Sequence, residues 1–566
     1  MALLEALRRH AENVTLFCQA GAIDVPNPDQ TLLAYLEGSV IEVKPEEDGG
    51  IFHPKVWVLN FESEARPDIY RVLCLSRNLT FARAWDTCLR LEGVLMEEGD
   101  YPRNDPLADL LLALPRLAIR QPIRDELRED IERMARDVRR VNFKPPHPFA
   151  RFKIHNLGLD GSNRWPFRKG GRSLVISPFL AGLTVQSLLR EHGLEVLISR
   201  PEALADVVRR VGREALPRTC YVLSPGAGLD ARHAEEEGEE QPDGPPLSED
   251  AIELSGLHAK LFLFENGPET RLFTGSANAT GAAFHANVEV LVELVGKTKD
   301  CGIDALLGLK EDPKLETLRS LLHEYHPEPP PECPEPEPCR ELERQADQIV
   351  RLLATVPFKA KVQHVDAERL WDVTLSGELP RIPGGAKVKV WPATLPPEAA
   401  ARIDGPADTI ATFKRVSFEA LTAFFSFEVL LREGQCDVRR RFAVTAELVG
   451  APENRKERLL RSLLRDRRRV LQLLFLILMG EGADVLTILQ AERRDGMTAQ
   501  GPFGGWHRGT LLEALLRTLS RNPTQIDDVA RLISDLKRTP EGKELLPEGL
   551  IEIWEPVWAA REALRS

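Results

Sequence analysis

The 566-residue sequence has no apolar run able to cross a bilayer. The longest, residues 470–479, is broken at Gln472 and falls well short of the ~20 residues that a spanning helix needs. Cysteine is sparse. Eight are scattered without a repeating spacing, which excludes a disulfide-rich scaffold and points to thiols in a reducing compartment. Excess basic charge is also missing. Against 74 Lys and Arg stand 87 Asp and Glu, a net −13, so no global field draws in nucleic acid and any such site has to be a local patch. The first nineteen residues, MALLEALRRHAENVTLFCQ, place Glu5, Arg8, Arg9 and Glu12 where a signal peptide needs unbroken apolar sequence. The expected location is therefore the cytoplasm, with no stable membrane insertion.

What is present is an ordinary globular balance, 43% hydrophobic and 28% charged, long enough for three to four domains. Residues 327–338, PEPPPECPEPEP, hold seven Pro and four Glu and read as a semi-rigid linker. Residues 230–250 carry nine carboxylates and read as an exposed acidic loop, and a softer break spans 144–165. Before the linker, short apolar strands alternate with helices, an α/β pattern. Strands are expected at 14–19, 55–59, 70–75, 173–178, 195–199, 219–223, 259–264, 271–274 and 289–294. Helices are expected at 184–190 and 201–211, with a long connecting helix over 119–140. From 362 to 449 apolar and polar residues alternate between turn signals, which predicts an antiparallel β-sandwich-like domain. From 454 onward the pattern is helical. The expected boundaries are 1–145, 146–326, a linker at 327–342, a β-rich domain at 343–453 and a helical domain at 454–566.

One constellation occurs twice. FHPKVWVL at 52–59 is followed by CLSRNLT at 74–80, and LHAKLFLF at 257–264 by FTGSANAT at 273–280. Each unit has His-x-Lys leading a strand, then a second strand that ends in Ser-x-Asn-x-Thr. In an extended chain i and i+2 share a face, so His53 points with Lys55 and His258 with Lys260. An imidazole and an ammonium, joined by the hydroxyl of Ser76 or Ser276 and the amide of Asn78 or Asn278, give donors that converge on a tetrahedral anion.

These residues resemble the phospholipase D superfamily, whose hallmark is His-x-Lys with a downstream acidic residue and Gly-Ser-x-Asn. Residues 256–289 carry the closer match: His258, Lys260, Glu265 where the family usually has Asp, Gly275-Ser276-Ala277-Asn278, then Asn287-Val288-Glu289. In the first copy Asn60 stands at the acidic position and Leu75 replaces the Gly, with Asp86 matched to Glu289. The resemblance covers residues 1 to about 325 and lies with the nuclease-like branch. It implies two phospholipase D-like halves forming a pseudo-dimer, followed by the β-sandwich-like and helical domains. It also implies one shared active site: one of His53 and His258 attacks phosphorus and forms a phosphohistidine, and the other protonates the leaving oxygen and then activates water. Lys55, Lys260, Asn78 and Asn278 would hold the non-bridging oxygens, and Glu289 and Asp86 would each orient an imidazole. No metal and no cofactor are implied.

Other signals are weaker. Gly296-Lys297-Thr298 lacks the earlier Gly of a phosphate-binding loop. Cys333 and Cys339 lack a second ligand pair for zinc. Residues 454–470 carry eight Lys or Arg and read equally as a nucleic-acid patch or a solvated helix face. GPFGGWH at 501–507 reads as a rigid aromatic turn. The expected function is a metal-independent DNA endonuclease, in defence against foreign DNA, with a partner ATPase docked on the C-terminal domains and an oligomer allowed. The alternatives are a phospholipid-directed hydrolase or transferase, and a catalytically silent scaffold that binds nucleic acid or protein.

Overall fold

The computed structural model describes residues 2–26, 32–47, 49–63, 66–78, 84–120, 123–159, 165–224, 256–309, 317–326, 337–365, 370–383, 385–403, 409–434, 436–452, 455–464, 466–479, 508–538 and 540–564. The acidic stretch 230–250 and the aromatic turn 501–507 lie outside the described residues. The chain is mixed α/β with several sheets.

Strands β1 (Leu16–Gln19) and β2 (Val40–Val43) form a parallel pair. β3 (Val56–Phe61), β4 (Ile69–Leu75) and β6 (Cys88–Val94) form an antiparallel meander, while the short β5 (Ala84–Trp85) pairs with β11 (Gly256–Leu257) far along the chain. An eight-stranded sheet carries the second repeat. Its strands are β7 (Arg151–Leu157), β8 (Arg172–Ile176), β9 (Leu194–Ile198), β10 (Thr219–Leu223), β12 (Leu261–Asn266), β13 (Glu269–Gly275), β14 (Glu289–Lys297) and β15 (Leu322–Glu324), in the order β15-β10-β9-β8-β12-β13-β14-β7. β8, β9 and β10 are parallel neighbours, so each connection is a crossover, made here by the helices Gly182–His192 and Pro201–Val211.

β12 shows why this sheet is central. Its LFLF run is apolar on both faces, as a strand covered from both sides requires. Phe262 and Phe264 bury against the two crossover helices, with Leu188 and Leu204. Leu261 and Leu263 bury on the opposite side, in one core with Val72, Cys74 and Leu91 of the meander. The first repeat thus lies against one face of the sheet that carries the second.

The C-terminal β region is two four-stranded sheets. One holds Lys359–Val365, Leu370–Ser376, Thr409–Ser417 and Glu447–Val449, and the other Lys387–Pro392, Ala401–Ile403, Phe424–Glu433 and Cys436–Thr445. Alternation drives it: in Leu370–Ser376, Trp371, Val373 and Leu375 are buried and their neighbours are half-exposed. Aromatic rings join the two sheets, with Phe413 and Phe425 at 6.3 Å and Phe358 and Phe427 at 5.3 Å between centroids. Helices follow from Arg455 and share the same core through Leu473, Leu511, Ile526 and Leu536.

Several expectations need correction. The helix expected over 119–140 begins at Asp125, because Ala118 bridges Val43 and Ile119 donates to the Glu42 carbonyl, which keeps the chain extended ahead of Pro122. The helix Asp105–Leu117 was not expected. The soft break contains β7, an edge strand with Phe152, Ile154 and Leu157 buried. The linker ends earlier than residue 342, since a helix runs Glu337–Ala354 with Leu342, Ala346, Ile349 and Leu353 buried. Cys339 on that helix is bonded to Cys436, which departs from the reading of the cysteines as unpaired thiols.

The N-terminal segment is shared between two cores, with Val43 in that of the meander. Leu4, Ala20, Ala34 and Tyr35 belong to the C-terminal core, Arg8 pairs with Asp535 at 2.7 Å, and buried Glu42 accepts from the N–H and hydroxyl of Thr445. Four of the eight cations in the basic run near 460 have partners within the chain. Arg455 pairs with Glu37, Arg461 approaches Glu541 at 3.6 Å, Arg467 pairs with Glu548 at 2.7 Å and Arg458 lies 3.9 Å over the Phe418 ring. Those four cations fasten the helices to their surroundings. Among the described residues, no helix is long and apolar enough to cross a membrane.

Phe427 is fully buried and stacks on Phe442 at 5.3 Å. Phe427→Ala is expected to cost about 3–5 kcal/mol. Denaturant unfolding followed by tryptophan fluorescence checks this, and a loss below about 1 kcal/mol would show that the two sheets do not share one core.

Candidate active site

The two repeats build the same backbone frame. In the first, the Ser76 N–H donates to the Thr87 carbonyl at 2.9 Å, and the Thr87 N–H returns to Ser76 Oγ at 2.7 Å. In the second, the Ser276 N–H donates to the Val290 carbonyl and the Val290 N–H to Ser276 Oγ, both at 3.0 Å. Thr87 therefore corresponds to Val290, and Asp86 to Glu289. Each Ser is a fully buried clamp between adjacent strands, which accounts for its side chain locally. Gly275 fits the close approach at this point: a Cβ there would lie 2.1 Å from the Val290 carbonyl oxygen. The first copy holds Leu75 at that position.

His-x-Lys in both copies is an extended lead-in just ahead of the strand, β3 or β12. In each, the Lys ammonium turns back to the carbonyl of its own His, Lys55 to His53 at 3.2 Å and Lys260 to His258 at 3.3 Å. Both lysines are buried. A buried ammonium is costly unless hydrogen-bonded, so these carbonyls help to hold it.

The frames are locked together by contacts that cross from one copy to the other. The imidazole of His53 places Nδ1 3.0 Å from both carboxylate oxygens of Glu289, and the His53 N–H donates to the Val288 carbonyl. Lys260 donates to the Ser76 carbonyl at 2.9 Å. The His258 and Ala259 N–H groups both donate to the Trp85 carbonyl, and the hydroxyls of Thr87 and Thr274 meet at 2.8 Å. So His53, Lys55, Ser76, His258, Lys260, Ser276 and Glu289 form one connected cluster. Asn278 is buried beside Ser276, whereas Asn78 and Asp86 are exposed. Among the described residues no imidazole bonds to Asp86, so its expected orienting role is not met in this geometry.

The two histidines differ chemically. Against a carboxylate, Nδ1 of His53 donates, which leaves Nε2 with a lone pair. His258 Nδ1 lies 3.2 Å from the Lys260 ammonium. An ammonium only donates, so this Nδ1 accepts and the proton of a neutral His258 sits on Nε2. The two imidazoles thus carry their protons on opposite nitrogens.

Burial pushes the Glu289 carboxyl up, but His53 and Lys55, with a hydrogen bond from Ser276, outweigh it and hold the group below the usual carboxylate range. Asn287 adds a donor to Glu289 at 3.2 Å and accepts from the Ile51 N–H, a support legible in the Asn-x-Glu spacing. Glu265, the residue at the family's acidic position, instead accepts from the Ile303 N–H at 2.7 Å and from Arg172 at 3.3 Å, at the far end of β12. Trp85 and the Thr87–Thr274 pair were not singled out by sequence, and nothing local marks them. A scan against protein-family models finds no match, and a search of curated proteins finds none either.

Because its folded-state pKa is depressed, the Glu289 carboxylate contributes stability that is present above its ordinary value of 4.5 and is lost as pH falls through the lower folded value. Glu289→Gln is therefore expected to lower the melting temperature at pH 7, with the gap to the native protein closing in acid. Melting curves at pH 7 and pH 3 measure this. A gap that stays constant or widens in acid contradicts the ionised pairing with His53.

Proposed function

We propose that the chain is a metal-independent phosphodiesterase acting on DNA as an endonuclease, built from two phospholipase D-like halves around one site. The observation that supports this most is the exchange of partners between the copies: Glu289 of the second orients His53 of the first, and Lys260 of the second is held by the Ser76 carbonyl of the first. Neither repeat is complete alone.

The roles follow from the tautomers. Lys55 and Lys260, with Asn278 and Asn78, hold the non-bridging oxygens of the scissile phosphate. His53 Nε2 attacks phosphorus, and a P–N bond forms as the P–O bond to the leaving group breaks. His258 gives its Nε2 proton to the departing oxygen while its Nδ1 takes a proton from the Lys260 ammonium, so the ring stays a neutral imidazole. Water then attacks phosphorus and delivers a proton to His258 Nε2, and the Nδ1 proton returns to Lys260, while the P–N bond breaks, which restores both imidazoles and the ammonium. The positive charge of two buried lysines serves the function that a divalent ion serves in other phosphodiesterases. A role in defence against foreign DNA, with a partner ATPase on the C-terminal β and helical parts, is the wider setting we propose.

Supercoiled plasmid should be nicked by the purified protein in excess chelator, and orthovanadate should inhibit. If cleavage stops in chelator and returns with Mg²⁺ or Mn²⁺, the phosphohistidine route is wrong. Release of head group from lipid vesicles without plasmid nicking would assign the site to phospholipids instead.

His53→Ala and His258→Ala should each lower turnover by at least about 10³-fold, and the double variant should be no worse than either single, because residues acting as a unit are not additive. Single-turnover assays with labelled DNA measure this. Near-normal cleavage by either single variant contradicts a site made from both copies.

A further inference from the structure

The two repeats share a strand register as well as a motif. In the second, Phe262 of β12 stands opposite Phe273 of β13, and Phe273 opposite Glu293 of β14. In the first, Trp57 of β3 stands opposite Leu73 of β4, and Leu73 opposite Arg90 of β6. One row on, Leu59 and Arg71 match Phe264 and Arg271. Counted from the His-x-Lys and the Ser clamp, these rows correspond residue for residue, so they occupy the same face of each sheet.

The two copies treat that face differently. In the second it lies under the helices Gly182–His192 and Pro201–Val211, and Phe262, Phe264, Phe273 and Leu291 are at most 6% exposed. In the first, the helices that follow β6, Asp105–Leu117 and Asp125–Arg139, join the core under the opposite face, with Val72, Cys74 and Leu91. Trp57, Leu59 and Leu73 are half-buried, and Cys88, at the position of Leu291, is exposed. None of these four belongs to or packs on a hydrophobic core of the described residues. The next row adds Phe61 at 46% and Val94 at 41% exposure, with Ile69 between them. An apolar sheet face of this kind is costly to leave in water.

Charge on the face is close to neutral. Arg71 pairs with Glu92 at 2.6 Å and lies over the Phe61 ring, 5.1 Å from its centroid. Arg90 is the further cation. A polynucleotide would meet one carboxylate and two cations, one of them already paired, with no run of positive charge to follow its backbone. A chain of net −13 repels its own copies at long range, so two copies can meet only where the local charge is near zero or positive, as here. The same chain shows sheet faces covering one another: its two C-terminal sheets set Phe358 against Phe427 and Phe413 against Phe425. Trp57 and Phe61 offer rings for a contact of that kind.

We propose that the outer face of the β3-β4-β6 meander is a homodimer interface, where two copies stack Trp57, Leu59, Phe61 and Leu73 against each other across a twofold axis. Such a contact needs one self-complementary patch and no second kind of partner. The face spans about 14 Å across three strands and about 20 Å along them, small beside the roughly 800 Å² per partner of a standard interface, so the dimer is reversible, with a micromolar dissociation constant. This interface is independent of the phosphodiesterase reading.

Sedimentation velocity on the full chain, from nanomolar to tens of micromolar, should show monomer converting to dimer. Leu73→Asp, which sets a carboxylate in the middle of the face, should raise the dissociation constant at least about tenfold. Leu516→Asp, at an exposed leucine on the helix Arg508–Arg521, should leave it unchanged. In the native chain Cys88 should react with a maleimide several-fold more slowly at dimer than at monomer concentrations, followed on the Cys88 peptide by mass spectrometry. That comparison decides the matter also where Leu73→Asp fails to fold. A native chain that stays monomeric throughout overturns the interface. So does a dimer that a folded Leu73→Asp leaves intact, or one whose Cys88 reacts as fast as the monomer's. A monomer that binds single-stranded oligonucleotide, and loses that binding in Leu73→Asp, would assign the face to nucleic acid instead.

Discussion

The buried Glu289 carboxylate and the imidazole it holds, 200 and more residues apart in sequence, are the contact on which the site depends. A carboxylate that is 1% exposed cannot stay ionised without nearby positive charge and donors. It receives them from His53 and Lys55 of the other repeat and from Asn287 and Ser276 of its own. The reverse contact, Lys260 to the Ser76 carbonyl, does the same for a buried ammonium. Each repeat thus carries a charge whose solvation is completed by the other, and the apolar layer between the meander and the eight-stranded sheet brings them together.

Duplication did not preserve equivalence. The Ser clamps match bond for bond, yet Glu289 is buried against His53 while its counterpart Asp86 is exposed. His258 faces Lys260 in place of a carboxylate. Two imidazoles with opposite partners hold their protons on opposite nitrogens, and the proposed two-step transfer draws on that difference.

The remainder of the chain is tied to this site through its N-terminal arm. Leu4, Ala20, Ala34 and Tyr35 pack in the C-terminal core, Val43 packs in the core of the meander, and Gln19 accepts from the Phe52 N–H, one residue before His53. Glu42 anchors the same arm to Thr445 of the β region. The disulfide Cys339–Cys436 fixes the helix after the linker to that region.

The sequence by itself determined the elements with strong local periodicity and the residues of the repeated motif. β4, β10, β14 and the helix Pro201–Val211 lie where alternation and helical spacing put them, because side-chain direction follows backbone geometry within a few residues. His53, Lys55, His258, Lys260 and Glu289 were legible because a duplicated spacing marks them. Only the tertiary structure decided which Glu meets which His, that Asp86 stays at the surface, that Glu265 supports a turn far from the site, and that Arg200 lies beside His258. These depend on how two sheets stack and on contacts between residues up to several hundred positions apart. No local pattern encodes such contacts, since the free energy that fixes them is the burial of apolar faces and the completion of buried charges across the whole chain.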